Sequence, residues 1–220
     1  IGIPSYFGSF REAWWELNGG KVKYSYVLVH GLGGWGEGDG VNDTVQYWGA
    51  TSMNLVEYLN EQGYEVHAPS VGPVSSTWDR TCELYAQLTG TTVDYGEAHS
   101  KAHNHERFGR EYTEPIVAQW GEKINGGQRV KVNLIGHSFG GATVRLLTSL
   151  LAYGSEDEIA ATGEETSELF KGGHDLVHSC ITLSAPHNGS QVANILADPQ
   201  FTILLISTAI NMIGGIFGNN

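Results

Sequence analysis

Apolar residues recur along the chain in short runs that alternate with amphipathic stretches, and this pattern predicts an α/β protein. Runs rich in β-branched and aromatic residues predict strands, whereas apolar positions at helical spacing predict helices. Strands are predicted at Tyr24–His30, Gly63–Pro69, Val130–Leu134 and Val177–Ser184, and helices at Ser52–Gln62, Thr77–Leu88, Pro115–Lys123, Ala142–Leu151 and Gln191–Ala197. This alternation favours a mostly parallel sheet with helices on its faces.

The stretch Val130–Arg145 joins a predicted strand to a predicted helix through Gly136–Gly140, which has the pattern Gly-x-Ser-x-Gly. At so sharp a turn, the residues two before and two after the serine crowd each other, and glycine at both positions relieves the crowding. The turn raises the hydroxyl of Ser138 above the sheet, beside N–H groups that can stabilise an oxyanion. Ser138 is therefore predicted to be a nucleophile; the alternative is a tight turn in a domain that only binds ligands.

A second glycine-rich loop follows the first predicted strand, at Gly31–Gly36. Such a loop can present backbone N–H groups to a cleft. In a hydrolase of this architecture, the N–H groups of Leu32 and Phe139 would be the two oxyanion donors. A phosphate-binding loop or a plain turn are the alternatives, although the loop lacks a Walker lysine. His30 is predicted to be a structural hydrogen-bonding residue rather than a base.

Residues 90–110 interrupt the pattern with a polar stretch that contains His99, His103 and His105. Asp79 precedes them on a predicted helix, and imidazole and carboxylate groups are both suitable zinc ligands. The spacing of the histidines fixes no geometry, because the stretch is predicted to be a loop. The alternative is a solvated polar loop, with Asp79 and Ser76 forming the cap of the helix.

Composition and charge narrow the class of protein further. The chain has 220 residues, of which 40% are hydrophobic, enough for one sizeable core within a single domain spanning residues 1–220. A net charge of −12 argues against nucleic acid or an anionic membrane surface as a partner. Of the two cysteines, Cys82 lies in a predicted helix and Cys180 in a predicted buried strand. Both are therefore expected to be free core thiols.

The ends of the chain and the acidic stretch at 155–173 carry further predictions. Residues 1–20 are expected to form an N-terminal arm without the features of a signal peptide, as in a mature N-terminus after cleavage. Residues 155–173 are expected to form a surface excursion. The run Phe201–Phe217 is the most apolar of the chain. It is either a buried helix or a mobile amphipathic lid over an apolar cleft.

Several motifs together resemble one known family. They are Val29–Gly36, Gly72–Arg80, Val93–Gly96 and Gly136–Gly141, and the similarity extends from about Tyr24 to Ser190. These segments resemble the bacterial lipases of the thermoalkalophilic Bacillus/Geobacillus and staphylococcal type. They are also similar to the clostridial-type esterases, some of which attack polyesters. The most specific parts are Trp78–Arg80 and His99–His105, since most α/β-hydrolases lack such an insertion.

The resemblance implies a secreted, lidded α/β-hydrolase that cleaves lipid or other apolar carboxylic esters at a lipid–water interface. It implies Ser138 as nucleophile, Leu32 and Phe139 as oxyanion donors, and a lid at about residues 199–220. It also implies that Asp79, His99 and His105 hold a structural zinc ion, which would pin the insertion at about residues 90–110 to the body. His103 would then be a bystander, and the fourth ligand would lie beyond Asn220.

The sequence departs from the family in lacking a catalytic acid and base. A hydrolase of this kind needs a histidine and a carboxylate on loops after later strands. His174, His178 and His187 all come too early in the chain. The chain is therefore expected to be the N-terminal part of a single α/β-hydrolase domain with an incomplete sheet. Its partner would be the missing C-terminal half, which would also hold any calcium site.

Three alternatives remain open from the sequence. The chain could be a catalytically incomplete fragment or a non-catalytic module that binds apolar ligands. Polyester hydrolysis is an alternative to lipid hydrolysis.

Overall fold

The computed structural model describes residues 24–50, 52–124 and 127–190. The predicted N-terminal arm, the predicted helix Gln191–Ala197 and the predicted lid lie outside these ranges. The chain divides into two compact units, Ile1–Ala185 and Pro186–Asn220, and all elements below belong to the first. Within the described ranges, no helix has the length and hydropathy needed to cross a bilayer.

The described residues form both strands and helices, as the sequence predicts, and the two types alternate from Ser25 to Glu111. The strands are β1 (Ser25–Val29), β2 (Val66–His67), β3 (Thr92–Asp94), β4 (Phe108–Glu111), β5 (Lys123–Ile124), β6 (Gln128–Arg129), β7 (Val132–His137) and β8 (Val177–Leu183). The helices are α1 (Leu55–Glu61), α2 (Thr77–Thr89), α3 (Glu97–His103), α4 (Phe139–Tyr153), α5 (Glu156–Thr162) and α6 (Glu168–Lys171).

A parallel sheet with the strand order β2-β1-β7-β8 forms the centre of the first unit. The pairs β3-β4 and β5-β6 are antiparallel and separate from it. Val27, Leu134 and Leu147 are fully buried where β1, β7 and α4 meet. The prediction of a parallel sheet is confirmed. Since all four strands run the same way, the loops after β1 and β7 meet at one edge.

Helix α2 shows how local sequence sets an element's limits. The hydroxyl of Ser76 accepts the N–H of Asp79 at 3.1 Å and caps the start of the helix. Gly90 ends it in the left-handed conformation, with φ of 66°. The buried face includes Cys82, Leu84 and Leu88. This face packs α2 into the main core and fixes the position of Asp79 and the residue that follows it.

Three sequence predictions about secondary structure are wrong. The predicted helix at residues 115–123 is absent: residues 115–122 form bends and turns that lead into β5. The backbone takes positive φ at Gln119 and Gly121, and Ile116 donates its N–H to the carbonyl of Gln87. Residues 90–110 hold β3, α3 and β4 rather than a loop. The stretch 155–173 is more than a surface excursion: it contains α5 and α6, and Phe170 is buried in the core.

Strand β8 was expected to be buried, and its thiol with it. In the described part of the sheet β8 is an edge strand paired only with β7, and Cys180, Ile181 and Leu183 are exposed. Of the two cysteines only Cys82 is a core thiol, and burial raises its pKa well above the ordinary value. An apolar run alone does not tell a central strand from an edge strand.

Candidate active site

Ser138 lies between the last residue of β7 and the first residue of α4. Its φ of 53° and ψ of −124° are unusual for a residue other than glycine. The N–H of Ser138 donates to the carbonyl of Leu183 in β8 at 2.8 Å, and its carbonyl accepts the N–H of Gly141 at 3.0 Å. The backbone on both sides of the serine therefore holds the strained conformation in place.

The glycines of the pentapeptide are required by close backbone approach. A Cβ atom at Gly136 would lie 2.3 Å from the carbonyl oxygen of Gly140. A Cβ atom at Gly140 would lie 2.2 Å from the carbonyl oxygen of Val29 in β1. Both distances are far below contact distance, so neither position accepts a side chain without backbone movement. The crowding predicted from the Gly-x-Ser-x-Gly pattern is thus present in the structure.

The glycine-rich loop after β1 lies directly against Ser138. A Cβ atom at Gly31 would lie 2.9 Å from the Cβ atom of Ser138 and 3.2 Å from the carbonyl oxygen of His137. Leu32 follows, with half of its side chain exposed. Among the hydrogen bonds of the described residues, none uses the N–H of Leu32. The loop therefore brings a backbone donor without a protein acceptor beside the serine.

His30 is fully buried and fixed in one tautomer by its neighbours. Its Nε2 atom accepts the N–H of Val71 at 3.1 Å, so the ring proton is on Nδ1 and donates to the carbonyl of Gly31 at 2.9 Å. Burial lowers the pKa of His30, and the nearby charge of Arg80 lowers it further. As the sequence predicts, His30 is a structural hydrogen-bonding residue, and it orients the glycine-rich loop.

Two further residues, Tyr47 and Arg80, contact the loops around the serine, and the sequence predicts no role for either. The hydroxyl of Tyr47 accepts the N–H of Gly31 at 2.9 Å. Arg80 is fully buried, and burial lowers its pKa to about 10, so it remains a cation at neutral pH. Its guanidinium donates to the carbonyls of His30 and Gly72 and to the hydroxyl of Thr143. Arg80 belongs to the motif Trp78–Arg80, but the motif does not reveal these contacts, and Tyr47 belongs to no motif.

A second cluster joins α2 to α3. Oδ1 of Asp79 lies 3.1 Å from Nε2 of His99 and 3.9 Å from Nε2 of His105. One donor atom from each residue lies within 4.8 Å of the others. The ring of His99 stacks on that of Trp78, at 5.0 Å between centroids. Burial lowers the pKa of His99, which favours the neutral imidazole that binds metals.

Glu158 attaches α5 to the helix that carries His99. Its carboxylate is buried and accepts the N–H groups of Ala98 and His99 at 3.0 and 2.8 Å. These donors belong to the first turn of α3, where a negative charge is stabilised by the helix dipole. Gly96 is required here, because a Cβ atom would lie 2.4 Å from the carboxylate carbon. The sequence predicts an exposed acidic stretch around Glu158, so it does not predict this buried contact.

Neither His174 nor His178 lies near Ser138. His178 is the second residue of β8, and its ring contacts that of Tyr24, which directly precedes β1, at 4.6 Å. It therefore lies near the amino ends of the strands, roughly 15 Å from the serine along the sheet. The N–H of His174 donates to the carbonyl of Leu151, near the end of α4. His187 belongs to the second unit.

Comparison with known proteins agrees with the fold. A family model described as "Lipase-like, C-terminal domain" matches residues 22–220. The chain therefore belongs to this lipase-like family. The lipase of Staphylococcus epidermidis is 39% identical over 199 residues, which cover 88% of this chain and 27% of that protein. The resemblance to staphylococcal lipases that the motifs indicate is confirmed.

Two solved lipase structures share the architecture. Lipase 1 from Pelosinus fermentans has a TM-score of 0.74 and 43% identity, over 80% of this chain and 44% of that chain. The lipase of Staphylococcus hyicus has a TM-score of 0.72 and 38% identity, over 90% of this chain and 50% of that chain. These similarities support the α/β architecture with a parallel sheet. The chain spans about a quarter of the curated relative and half or less of these two structures.

Proposed function

We propose that this polypeptide carries the nucleophile and oxyanion hole of a serine carboxylic-ester hydrolase. One observation carries the proposal: Ser138 stands in a strained turn at the carboxyl end of β7, with the Gly31 loop packed against its side chain. Membership of the lipase-like family supports the same chemistry. A plain ligand-binding turn would need neither the strain at Ser138 nor the close approach of the second loop.

In the proposed reaction, Oγ of Ser138 attacks the ester carbonyl carbon and transfers its proton to a base. The carbonyl oxygen becomes an oxyanion that accepts the N–H groups of Leu32 and Phe139. The tetrahedral intermediate then expels the alcohol, which takes the proton from the base, and an acyl-enzyme remains. Water attacks the acyl-enzyme in the same way, and the carboxylic acid leaves with Ser138 restored.

The proposal assigns the base and its orienting carboxylate to a part of the protein beyond Asn220. His174 and His178 are at the wrong end of the sheet, and the relatives are much longer than this chain. In α/β-hydrolases the acid and the histidine follow the serine on loops after later strands. Any calcium site would lie in the same region. The exposed apolar side chains of Ile181 and Leu183 on β8 are consistent with a further strand or helix there.

Apolar esters are the substrate class that fits the surface beside Ser138. Leu32 is 50% exposed and Val74 is 80% exposed. The loops that carry them are joined, because the N–H of Gly33 donates to the carbonyl of Pro73 at 2.7 Å. Apolar side chains on both loops give a surface suited to acyl chains. Triacylglycerols are the proposed substrates, as in the family that the motifs resemble, with polyesters the alternative.

We assign Asp79, His99 and His105 to a structural zinc ion. The carboxylate and the two imidazoles suit zinc. Tetrahedral zinc ligands lie about 3.3 Å apart. The donor atoms of Asp79 and His99 lie 3.1 Å apart, and all three donor atoms lie within 4.8 Å of one another. The ion would supply a rigid link between α2 and α3 and no catalytic step. A fourth ligand would come from beyond Asn220. Secretion and a lid that opens at a lipid–water interface are proposed from family membership.

Activity of the natural, full-length protein and of a Ser138→Ala variant tests the proposed function. The substrates are p-nitrophenyl butyrate and emulsified tributyrin. The substitution is expected to lower kcat/KM by about 10⁴-fold or more, since residual activity without the nucleophile is small. Ser149→Ala is the matched control, because Ser149 is exposed on the same helix. An active Ser138→Ala variant, or an inert parent protein, would favour the non-catalytic, apolar-ligand-binding alternative.

A further inference from the structure

Arg80 is the largest fully buried side chain of the described residues, and it has no carboxylate partner in their hydrogen-bond network. Every acceptor that its guanidinium reaches there is a neutral oxygen. A buried cation of this kind costs free energy, even when it is hydrogen-bonded. One hydrogen bond goes to the carbonyl of Gly72, and the other contacts reach the two segments that carry the proposed oxyanion donors.

On one side, the guanidinium holds the peptides that lead to Leu32. Nη2 donates to the carbonyl of His30, and Nη1 makes a long contact of 3.5 Å with the carbonyl of Gly31. The carbonyl of Gly31 and the N–H of Leu32 belong to the same planar peptide, so fixing one fixes the other. Nδ1 of His30 donates to that same carbonyl at 2.9 Å. Donors on the carbonyl also polarise the peptide, which makes its N–H a stronger donor.

On the other side, the guanidinium holds the first turn of α4. Nε donates to the hydroxyl of Thr143 at 3.1 Å, and this hydroxyl donates to the carbonyl of Phe139 at 3.3 Å. The guanidinium carbon also lies 5.2 Å from the centre of the Phe139 ring. A planar cation with several fixed donors can contact both segments at once, which a lysine ammonium cannot do.

We propose that Arg80 is a positioning residue of the oxyanion hole, which sets the separation of the N–H groups of Leu32 and Phe139 through its contacts with the Gly31 loop and with Thr143. This inference rests on the proposed ester hydrolase function and extends it. Donors that miss the oxyanion by a fraction of an ångström lose most of their effect, because the stabilisation depends on preorganised geometry.

Steady-state kinetics of an Arg80→Lys variant of the full-length protein test the proposal. Loss of one oxyanion donor costs about 10²–10³ in kcat, so partial misplacement is expected to lower kcat about 10- to 100-fold with KM nearly unchanged. A boronic acid forms a tetrahedral adduct with Ser138, so its binding affinity should fall in parallel with kcat. The affinity for butyrate, a planar product, should stay the same. Arg129→Lys is the control, because it removes an exposed guanidinium–carbonyl bond of the same kind.

The proposal is wrong if Arg80→Lys leaves kcat within about twofold of the parent, or if affinities for the boronic acid and for butyrate fall equally. If Arg80→Lys does not fold, the Thr143→Val variant tests the proposal instead. It leaves Arg80 in place and removes the hydroxyl that accepts from Nε and donates to the carbonyl of Phe139. It is expected to lower kcat about three- to tenfold, and an unchanged kcat overturns the proposal. An inert parent protein would instead contradict the proposed function itself.

Discussion

The hydroxyl oxygen of Tyr47 lies 2.6 Å from Nδ1 of His137, the residue that precedes Ser138. The same oxygen accepts the N–H of Gly31, so its own proton is available to the imidazole. One phenol thus connects the glycine-rich loop to the serine turn across 90 positions of sequence. Its ring also contacts those of Trp35 and Trp48. Tyr47 and Arg80 therefore both connect the glycine-rich loop to the segment around the serine.

Replacing Tyr47 by phenylalanine should therefore slow ester hydrolysis without unfolding the protein. The N–H of Gly31 then loses its hydrogen-bond acceptor, which costs about 1 kcal/mol. If the transition state loses this stabilisation, kcat should fall about three- to tenfold. Steady-state kinetics of the full-length protein measure the effect. Tyr58→Phe is the control, since Tyr58 is exposed on α1. An unchanged kcat for Tyr47→Phe would show that the phenol does not position the loop.

Removal of the proposed zinc ion should lower the thermal stability of the protein. At free zinc concentrations of 100 to 1,000 times the dissociation constant, binding stabilises the fold by about 3 to 4 kcal/mol. Thermal unfolding with and without a chelator, together with the metal content by mass spectrometry, provides the measurement. The parent protein is expected to contain one zinc ion per chain and to lose its stabilisation when the ion is removed.

Substitutions separate the proposed ligands from their neighbour. Asp79→Ala and His99→Ala should each abolish stoichiometric zinc. His103→Ala should retain it, because His103 is exposed and outside the donor cluster, although its ring lies 4.4 Å from that of His99. Equal zinc content in all three variants would contradict the assignment of the cluster.

Glu158 should be important for the stability of the region around α3. Glu158→Gln leaves an amide nitrogen facing one of the two backbone N–H groups and removes the negative charge at the start of the helix. Since hydrogen bonds to charged groups contribute about 1.5 to 3 kcal/mol, the free energy of unfolding should fall by about 2 kcal/mol. Denaturant unfolding measures it. Glu156→Gln, at an exposed position of α5, should change it by less than about 0.5 kcal/mol.

The buried imidazole of His30 predicts a dependence of stability on pH. Burial lowers its folded-state pKa below the ordinary value of 6.5, so the unfolded chain takes up a proton that the folded chain does not. The neutral imidazole of His30 therefore makes its full contribution to the free energy of unfolding above pH 6.5. This contribution is lost as the pH falls through the folded-state pKa of His30. Its slope is at most about 1.4 kcal/mol per pH unit.

The slope can be assigned by substitution. Denaturant unfolding between pH 7.5 and pH 4.5 should show a smaller decline for His30→Gln than for the parent, whereas His67→Gln, altered at a less buried histidine, should follow the parent. Identical slopes for the parent and for His30→Gln would mean that His30 is protonated equally easily in both states. Arg80 and Asp39 also face His30 electrostatically and remain unchanged in this comparison.

The parallel sheet and the serine turn could be predicted from sequence because both depend on local patterns. Alternating apolar residues define β7, and Gly136 and Gly140 mark a turn that only glycine allows. Asp79, His99 and His105 were assigned through a resemblance, and the structure brings their donor atoms together. The glycines show their physical requirement directly in the sequence, whereas the grouping of the three donor residues needed the resemblance.

Long-range contacts between residues of ordinary type could not be predicted. The roles of Arg80, Tyr47 and Glu158 depend on acceptors and donors 16 to 90 positions away, which the sequence does not reveal. The exposure of β8 could not be predicted either, because an apolar composition does not show whether a strand pairs with one neighbouring strand or with two. The prediction of a helix at residues 115–123 is wrong for the same reason, because Ile116 donates its N–H to the carbonyl of Gln87 rather than within a helix.

Covalent labelling tests the nucleophile most directly. The full-length protein is treated with a fluorophosphonate, digested and mapped by mass spectrometry. We predict stoichiometric modification of Ser138, loss of esterase activity in proportion to labelling, and no modification of the Ser138→Ala variant. An active protein that stays unlabelled at Ser138, or that is labelled at another serine in proportion to its loss of activity, would contradict the account.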